Sequence, residues 1–314
     1  MSFEPYLAEL ADPAQRLAVS KLINLSSLGP EEASLFMKVW PEMELSRRQQ
    51  LVAGLIELAE DNVDLNFDAV FFVALGDRDA GVRRNAVRGL WEYEGRDLLD
   101  SLIGMLESDA NAGVRAEAAL ALGRFVLRAE FDALSAADAE RVERALRRAF
   151  DDEAEAVEVR GRALEALGAR GEPWVRDLIE RSFDDGDRQL RLSAVHAMGR
   201  SCDTSWLPAL FDGLESDDAE MRFEAAGALG SMADEAATPH LLPLLNDEDA
   251  EVQDAVIVAL GEIGDAQARE ALREIAADSN ERLREAAAAA LAAADFNDDP
   301  LGVSLGSREG DEEE

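Results

Sequence analysis

The chain has 314 residues, is 47% hydrophobic but only 6% aromatic, and carries a formal net charge of −36. Its length permits a large core, and its Ala-, Leu-, Glu- and Arg-rich composition favours helices over sheets. The charge excludes a nucleic-acid or anionic-membrane binder, because phosphate contacts need Lys and Arg.

No apolar run is long enough to span a membrane, and the opening residues lack the basic and apolar segments of a secretory signal. The single cysteine, Cys202, has no partner for an internal disulfide, so a cytoplasmic location is expected. The acidity has two readings: a solvated, self-repelling surface suited to high salt, or attraction of a protein partner with a basic patch. The 31 basic residues comprise 29 Arg and only Lys21 and Lys38, a skew that fits a high-GC, salt-adapted source and so favours the first.

Residues 1–66 read as helices out of register with the rest of the chain: 12–26, 29–43 and 45–61, the last with Ser46 as cap. Divergent end helices seal an apolar stack. Alternatively, Phe36, Met37, Trp40 and Met43 form a docking surface.

From residue 67 to 295 one motif recurs seven times. Its apolar anchors are Val82, Val114, Val159, Leu190, Met221, Val252 and Leu283, spaced 32, 45, 31, 31, 31 and 31 residues apart. Three residues before each anchor stands an Asp or Asn suited to cap a helix, except at Ala156. Four after stands Ala or Val, and eight after Leu or Met, so these positions share one helical face. At offset nine, Gly123, Gly168, Gly199, Gly230 and Gly261 are placed to stop the helix in a left-handed turn, with Trp91 and Ala292 breaking the column. A second helix fills each interval, for example 96–109, 205–218 and 237–250, the last with Thr238 as cap before Pro239. The long interval marks an insertion near 127–143. It either lengthens the second helix of one copy or adds a short one near 128–134, and a new helix starts at Ser135. Residues 296–314, including "PLGVSL", read as a disordered acidic tail with a short apolar motif that is an alternative docking peptide.

A two-helix unit of this length, with D-x-D-x-x-V-R-x-x-A-x-x-A-L-G at its heart, resembles the HEAT repeats, and in particular the short bacterial kind of the phycobilisome lyases. The resemblance implies an all-α, right-handed α-solenoid of stacked antiparallel helix pairs, acting as a protein-binding scaffold or adaptor. The alternative it implies is phycobilin-lyase-like or other small-molecule handling.

No catalytic residue, cofactor or metal is expected. The two histidines, His196 and His240, are not in the His-Glu pairs of the HEAT-repeat deoxyhypusine hydroxylases, and no phosphate loop or nucleophile elbow occurs. One residue after the anchors stand Arg83, Arg115, Arg160, Arg191, Arg222, Gln253 and Arg284. They read either as a ladder with Asp77, Asp109, Asp185, Asp247 and Asp278, five before the anchors, or as an anion-binding row. Offsets two and six face outward on the concave side. There Leu120, Leu192, His196, Phe223 and Val258 are the expected partner stripe, unless they pack against neighbouring helices.

Overall fold

A computed structural model describes residues 3–277 and 280–298 of the chain, and these are helical with no strand among them. Asp278 and the segment 299–314, with the apolar motif at 300–305, lie outside the described residues. The chain divides into two compact units, Met1–Arg170 and Gly171–Glu314.

The first unit contains α1 (Phe3–Ala11), α2 (Val19–Leu22), α3 (Pro30–Val39), α4 (Leu45–Asp61), α5 (Asp68–Ala74), α6 (Ala80–Gly89), α7 (Arg96–Ser108), α8 (Ala112–Glu130), α9 (Ala136–Asp151) and α10 (Val157–Leu167). Two rows result. The anchor-bearing helices α6, α8 and α10 stack in sequence, with α4 stacked beneath α6; α1, α3 and α5 form the second row, as do α7 and α9. The second unit contains α11 (Pro173–Phe183), α12 (Arg188–Ser201), α13 (Leu207–Leu214), α14 (Ala219–Met232), α15 (Thr238–Leu241), α16 (Ala250–Ile263), α17 (Ala266–Ile275) and α18 (Glu281–Asp298). Here α12, α14, α16 and α18 stack as the anchor row. The helix recurs because each copy is the wall against which the next buries its apolar stripe.

The offset-four residues Ala86, Ala118, Ala163, Ala194, Ala225, Val256 and Ala287 are all fully buried. Anchors Val82, Val114, Val159, Leu190 and Val252 are buried too, while Met221 and Leu283 are half-buried. The caps form where expected: Asp79 and Asn111 accept from Val82 and Val114 N–H, Asp187 from Leu190, Asp218 from Glu220, Asp249 from Glu251 and Asn280 from Arg282. Ala156 caps nothing.

The glycines at offset nine are not helix stops in the second unit. Gly199, Gly230 and Gly261 lie inside α12, α14 and α16. A Cβ on Gly199 would lie 2.6 Å from Ala228 Cα, one on Gly230 2.7 Å from Ala259 Cα, and one on Gly261 2.9 Å from Ala290 Cβ. They are the points where one anchor helix touches the backbone of the next. The helices run one turn further and end in left-handed residues at offset twelve: Cys202 (φ 50°), Ala233 (φ 50°) and Gly264 (φ 64°). In the first unit Gly123 is likewise inside α8, and Gly168 follows α10 in right-handed conformation.

Other boundaries move as well. Asp234, not Thr238, caps the turn before α15; Thr238 is helical and donates its hydroxyl to Asp265 at 2.7 Å. Ser46 lies inside α4, whose cap position is Glu44. The expected helix 12–26 is instead a turn followed by α2 and a short 3-10 segment, and an unanticipated helix, α1, precedes it. Phe36, Trp40 and Met43 are core residues and only Met37 is exposed, which overturns the docking reading of that group. The insertion neither lengthens a second helix nor adds a short one near 128–134: it extends the anchor helix itself, as α8, while Ser135 caps α9 as expected. The last helix reaches Asp298, so the first residues assigned to the tail are helical.

The arginine column forms a ladder. Arg83 Nε and Nη2 donate to Asp109 at 2.7 Å each, and Arg222 meets Asp247 in the same way at 2.7 Å. Arg115 takes Glu155 instead, at 2.8 and 2.6 Å, because the irregular turn before α10 puts that acid in place. Each of these acids also orders its own turn: Asp109 accepts from Asn111 N–H at 2.9 Å and Asp247 from Asp249 N–H at 2.8 Å. Burial alone would raise the Asp109 carboxyl, but the Arg83 and Asn111 hydrogen bonds outweigh it and hold it below the ordinary range. The hydrogen bond from Arg222 likewise lowers Asp247, and that from Arg115 lowers Glu155. Arg48 on α4 adds a rung to Asp77 at 2.7 Å, and Trp40 Nε1 donates to the same carboxylate at 2.7 Å. The N-terminal helices thus join the ladder although the repeat spacing does not reach them. Arg160 bonds the Phe150 carbonyl and Arg191 the Asp185 carbonyl, so neither is a rung to a neighbouring acid.

Candidate partner-binding groove

In the second unit, α12, α14 and α16 lie side by side, and their outward offsets line one groove of about 430 Å³. Its apolar part comes from Phe223, Val258, Ala255 and Gly227. Phe223 is 40% exposed and Val258 55%, high values for side chains of this size held on rigid helices. Gly227 opens the floor, since a Cβ there would meet nothing within 4 Å.

The polar edge consists of Glu224, Asp254, Glu262, Arg200, Ser231 and His196. His196 Nδ1 lies 3.3 Å from Glu224 Oε2, so imidazole and carboxylate satisfy each other across α12 and α14. Asp254 is taken by Arg282 of α18. Glu262 makes no ion pair among the described residues, and its partial burial pushes its carboxyl up from the ordinary value. It is the carboxylate of this edge that a ligand cation would meet.

Of the expected stripe, His196, Phe223 and Val258 therefore come together in one groove. Leu192 does not join them. It is 2% exposed, because α12 buries Leu190, Ser193, Ala194, Val195, Ala197 and Met198 as well and has little outward face left. Leu120 is exposed but sits on α8 in the first unit, in a different groove. Sequence periodicity missed Glu262 and the first-unit Trp91. Trp91 carried a usable signal: an indole cannot fit at an offset where other copies need glycine, so it must point out, and it is 57% exposed.

Among the described residues no group of three or more His, Cys, Asp or Glu could hold a metal ion. His240 is on another helix, α15, stacked on Phe211 with centroids 3.8 Å apart. No described helix is long and apolar enough to cross a membrane.

A family model for HEAT repeats matches residues 69–148, 175–250 and 238–300. No curated protein matches the chain by sequence. Among solved structures, the complex of CpcE and CpcF of phycocyanin lyase from Nostoc sp. PCC7120 is similar at 19% identity and a TM-score of 0.54, covering 84% of this chain and 95% of that one. The Escherichia coli protein YibA aligns at 18% identity with a TM-score of 0.43, covering 77% of this chain and 96% of that one. Human deoxyhypusine hydroxylase aligns at 22% identity with a TM-score of 0.31, covering 94% and 96%.

Proposed function

The chain belongs to the HEAT-repeat family, and on that premise we propose that it is a non-enzymatic scaffold or adaptor holding a protein partner in the groove of α12, α14 and α16. The observation that carries this reading is a large aromatic, Phe223, held exposed on a rigid helix beside Val258, with an unpaired acid, Glu262, at the edge. Apolar anchors ringed by polar groups are how a few side chains supply most of a protein–protein binding energy. Glu262 then favours a basic residue next to the partner's apolar one. The acidic field of the whole chain speeds encounter with a basic surface at low salt.

The CpcE–CpcF likeness supports the shared helix-pair fold and nothing about a chromophore. A photo-crosslinking residue at position 258 tests the proposal in native lysate. It should give a protein adduct, and Phe223→Ala should lose most of that adduct, since removing such an anchor costs about 2 kcal/mol or more. Ala289→Ser, at the offset of Val258 but on α18, should leave the adduct unchanged. A purified protein with visible absorbance, or an adduct indifferent to Phe223→Ala, is the outcome that refutes the adaptor reading.

A further inference from the structure

The insertion in the first unit makes α8 19 residues long, against 14 for α12, α14 and α16. The added length carries an apolar line. Leu120, Leu127 and Phe131, the last at the C-cap, stand at i, i+7 and i+11, within about 40° of one another around the helix. Leu120 is 39% exposed, Leu127 42% and Phe131 74%.

The loop after α6 is strapped beside this line. Arg124 Nη1 donates to the Leu90 carbonyl at 2.8 Å and also to that of Trp91, while Arg128 reaches the Glu94 carbonyl at 3.1 Å and its carboxylate at 2.8 Å. The indole of Trp91 is thereby presented to the same groove as Leu120. Both line a groove of about 690 Å³ between α4, α6 and α8, with Ala53, Ile56, Val87 and Ala121. Singly scattered surface apolars need no explanation, but a groove continued by a line of three large side chains does.

We propose that this groove and the ledge built by the insertion form a second docking site, and that its occupant is a basic amphipathic helix of a partner protein. The shape argues for a helix. Parallel neighbours leave a trough that accepts one, and the i, i+7 and i+11 side chains of α8 line one face against which a helix can pack. The charges argue for a basic one. Arg88 is paired with Glu117 at 2.8 Å, and Arg124 is turned into the loop carbonyls with its Nε and Nη2 buried. Arg88 is exposed but neutralised by that pair, which leaves Glu57 and Glu60, neighbours on one face of α4, as the exposed charges of the groove that make no ion pair among the described residues. A second copy of this chain, at −36, is repelled.

The test uses the full chain and a fluorescent Leu/Lys amphipathic peptide long enough for about four helical turns. Leu127→Ser with Phe131→Ser leaves the charge unchanged, so a loss of binding reports the apolar ledge and not the general acidity. We expect about a tenfold rise in Kd for that pair, and a weaker salt dependence for Glu57→Gln with Glu60→Gln. Peptide binding should also shift tryptophan emission to the blue, and Trp91→Phe should abolish the shift, because Trp40 and Trp206 are already buried and Trp174 does not line this groove. Both serine positions are exposed, and circular dichroism checks that the fold is kept. Unchanged affinity in the serine pair, or equal binding of a Leu/Glu peptide, would overturn the proposal. Loss of binding in Phe223→Ser alone places the peptide in the second-unit groove, which sinks the second docking site and leaves the groove of α12, α14 and α16 standing.

Discussion

The two units couple the same helix pair in different ways. In the first, three successive charged rungs join neighbours: Arg48 to Asp77, Arg83 to Asp109 and Arg115 to Glu155. In the second, Arg222–Asp247 is the one equivalent rung among the described residues. Gln253 there is neutral and Arg191 turns back to its own loop. Three glycines instead bring successive backbones together, at Ala228, Ala259 and Ala290. A strict 31-residue spacing accompanies the backbone contacts, and the irregular spacings accompany the ladder. Backbone approach tolerates no change of register, whereas an arginine can reach an acid displaced by a residue, as Arg115 does with Glu155.

Breaking a rung is the largest effect expected from this difference. Arg83→Ala strands Asp109 in a mostly buried position and should cost about 2 kcal/mol, whereas Arg191→Ala loses only carbonyl contacts and should cost less than about 1 kcal/mol. Equal denaturation midpoints for the two variants would erase the distinction between the units. The ladder also sets a pH dependence. A carboxyl held below its ordinary value stabilises the fold fully above that value, and the contribution is lost as pH falls through the depressed one. Asp109→Asn should therefore be less stable than wild type at neutral pH, with the gap closing below about pH 4.

A smaller effect, and a change of sign, is expected within α14. Gly230→Ala should destabilise by about 1–2 kcal/mol, since its methyl meets the Ala259 backbone. Gly227→Ala, three residues earlier and facing open space, should stabilise by about 0.5–1 kcal/mol through helix propensity alone. Urea midpoints that move together would show that α14 and α16 are not in backbone contact. The smallest effect concerns salt. Screening relieves the self-repulsion of a chain at −36, so the melting temperature should rise from about 10 mM to 1 M salt. A flat curve would mean that the paired acids already balance the excess.

The helix pairs, six side-chain caps and the buried offset-four column were legible because each is a local demand repeated many times. A cap needs an oxygen three residues ahead, and an apolar stripe needs a fixed period. The glycines misled for the same reason: locally, a glycine after an apolar stripe is a helix stop. Only the neighbouring helix shows that the position is a contact and that the stop comes one turn later, at Cys202, Ala233 and Gly264. Trp40 and Arg48 were unreadable as ladder members because their helices do not follow the repeat spacing that picked out the other rungs.

The partner stripe divides along the same line. Periodicity by itself placed His196, Phe223 and Val258 on outward offsets, because outward direction follows from the helix repeat. Whether an outward offset meets solvent depends on what lies over it, and that is a property of the assembled stack. Leu192 and Phe223 share an offset, yet one is buried and the other 40% exposed. The repeat spelled out in the sequence determined the helices and their inner faces, through interactions reaching one turn. The depth of each groove, the acids left unpaired and the ledge on α8 were decided by contacts between residues tens of positions apart, which no local pattern encodes.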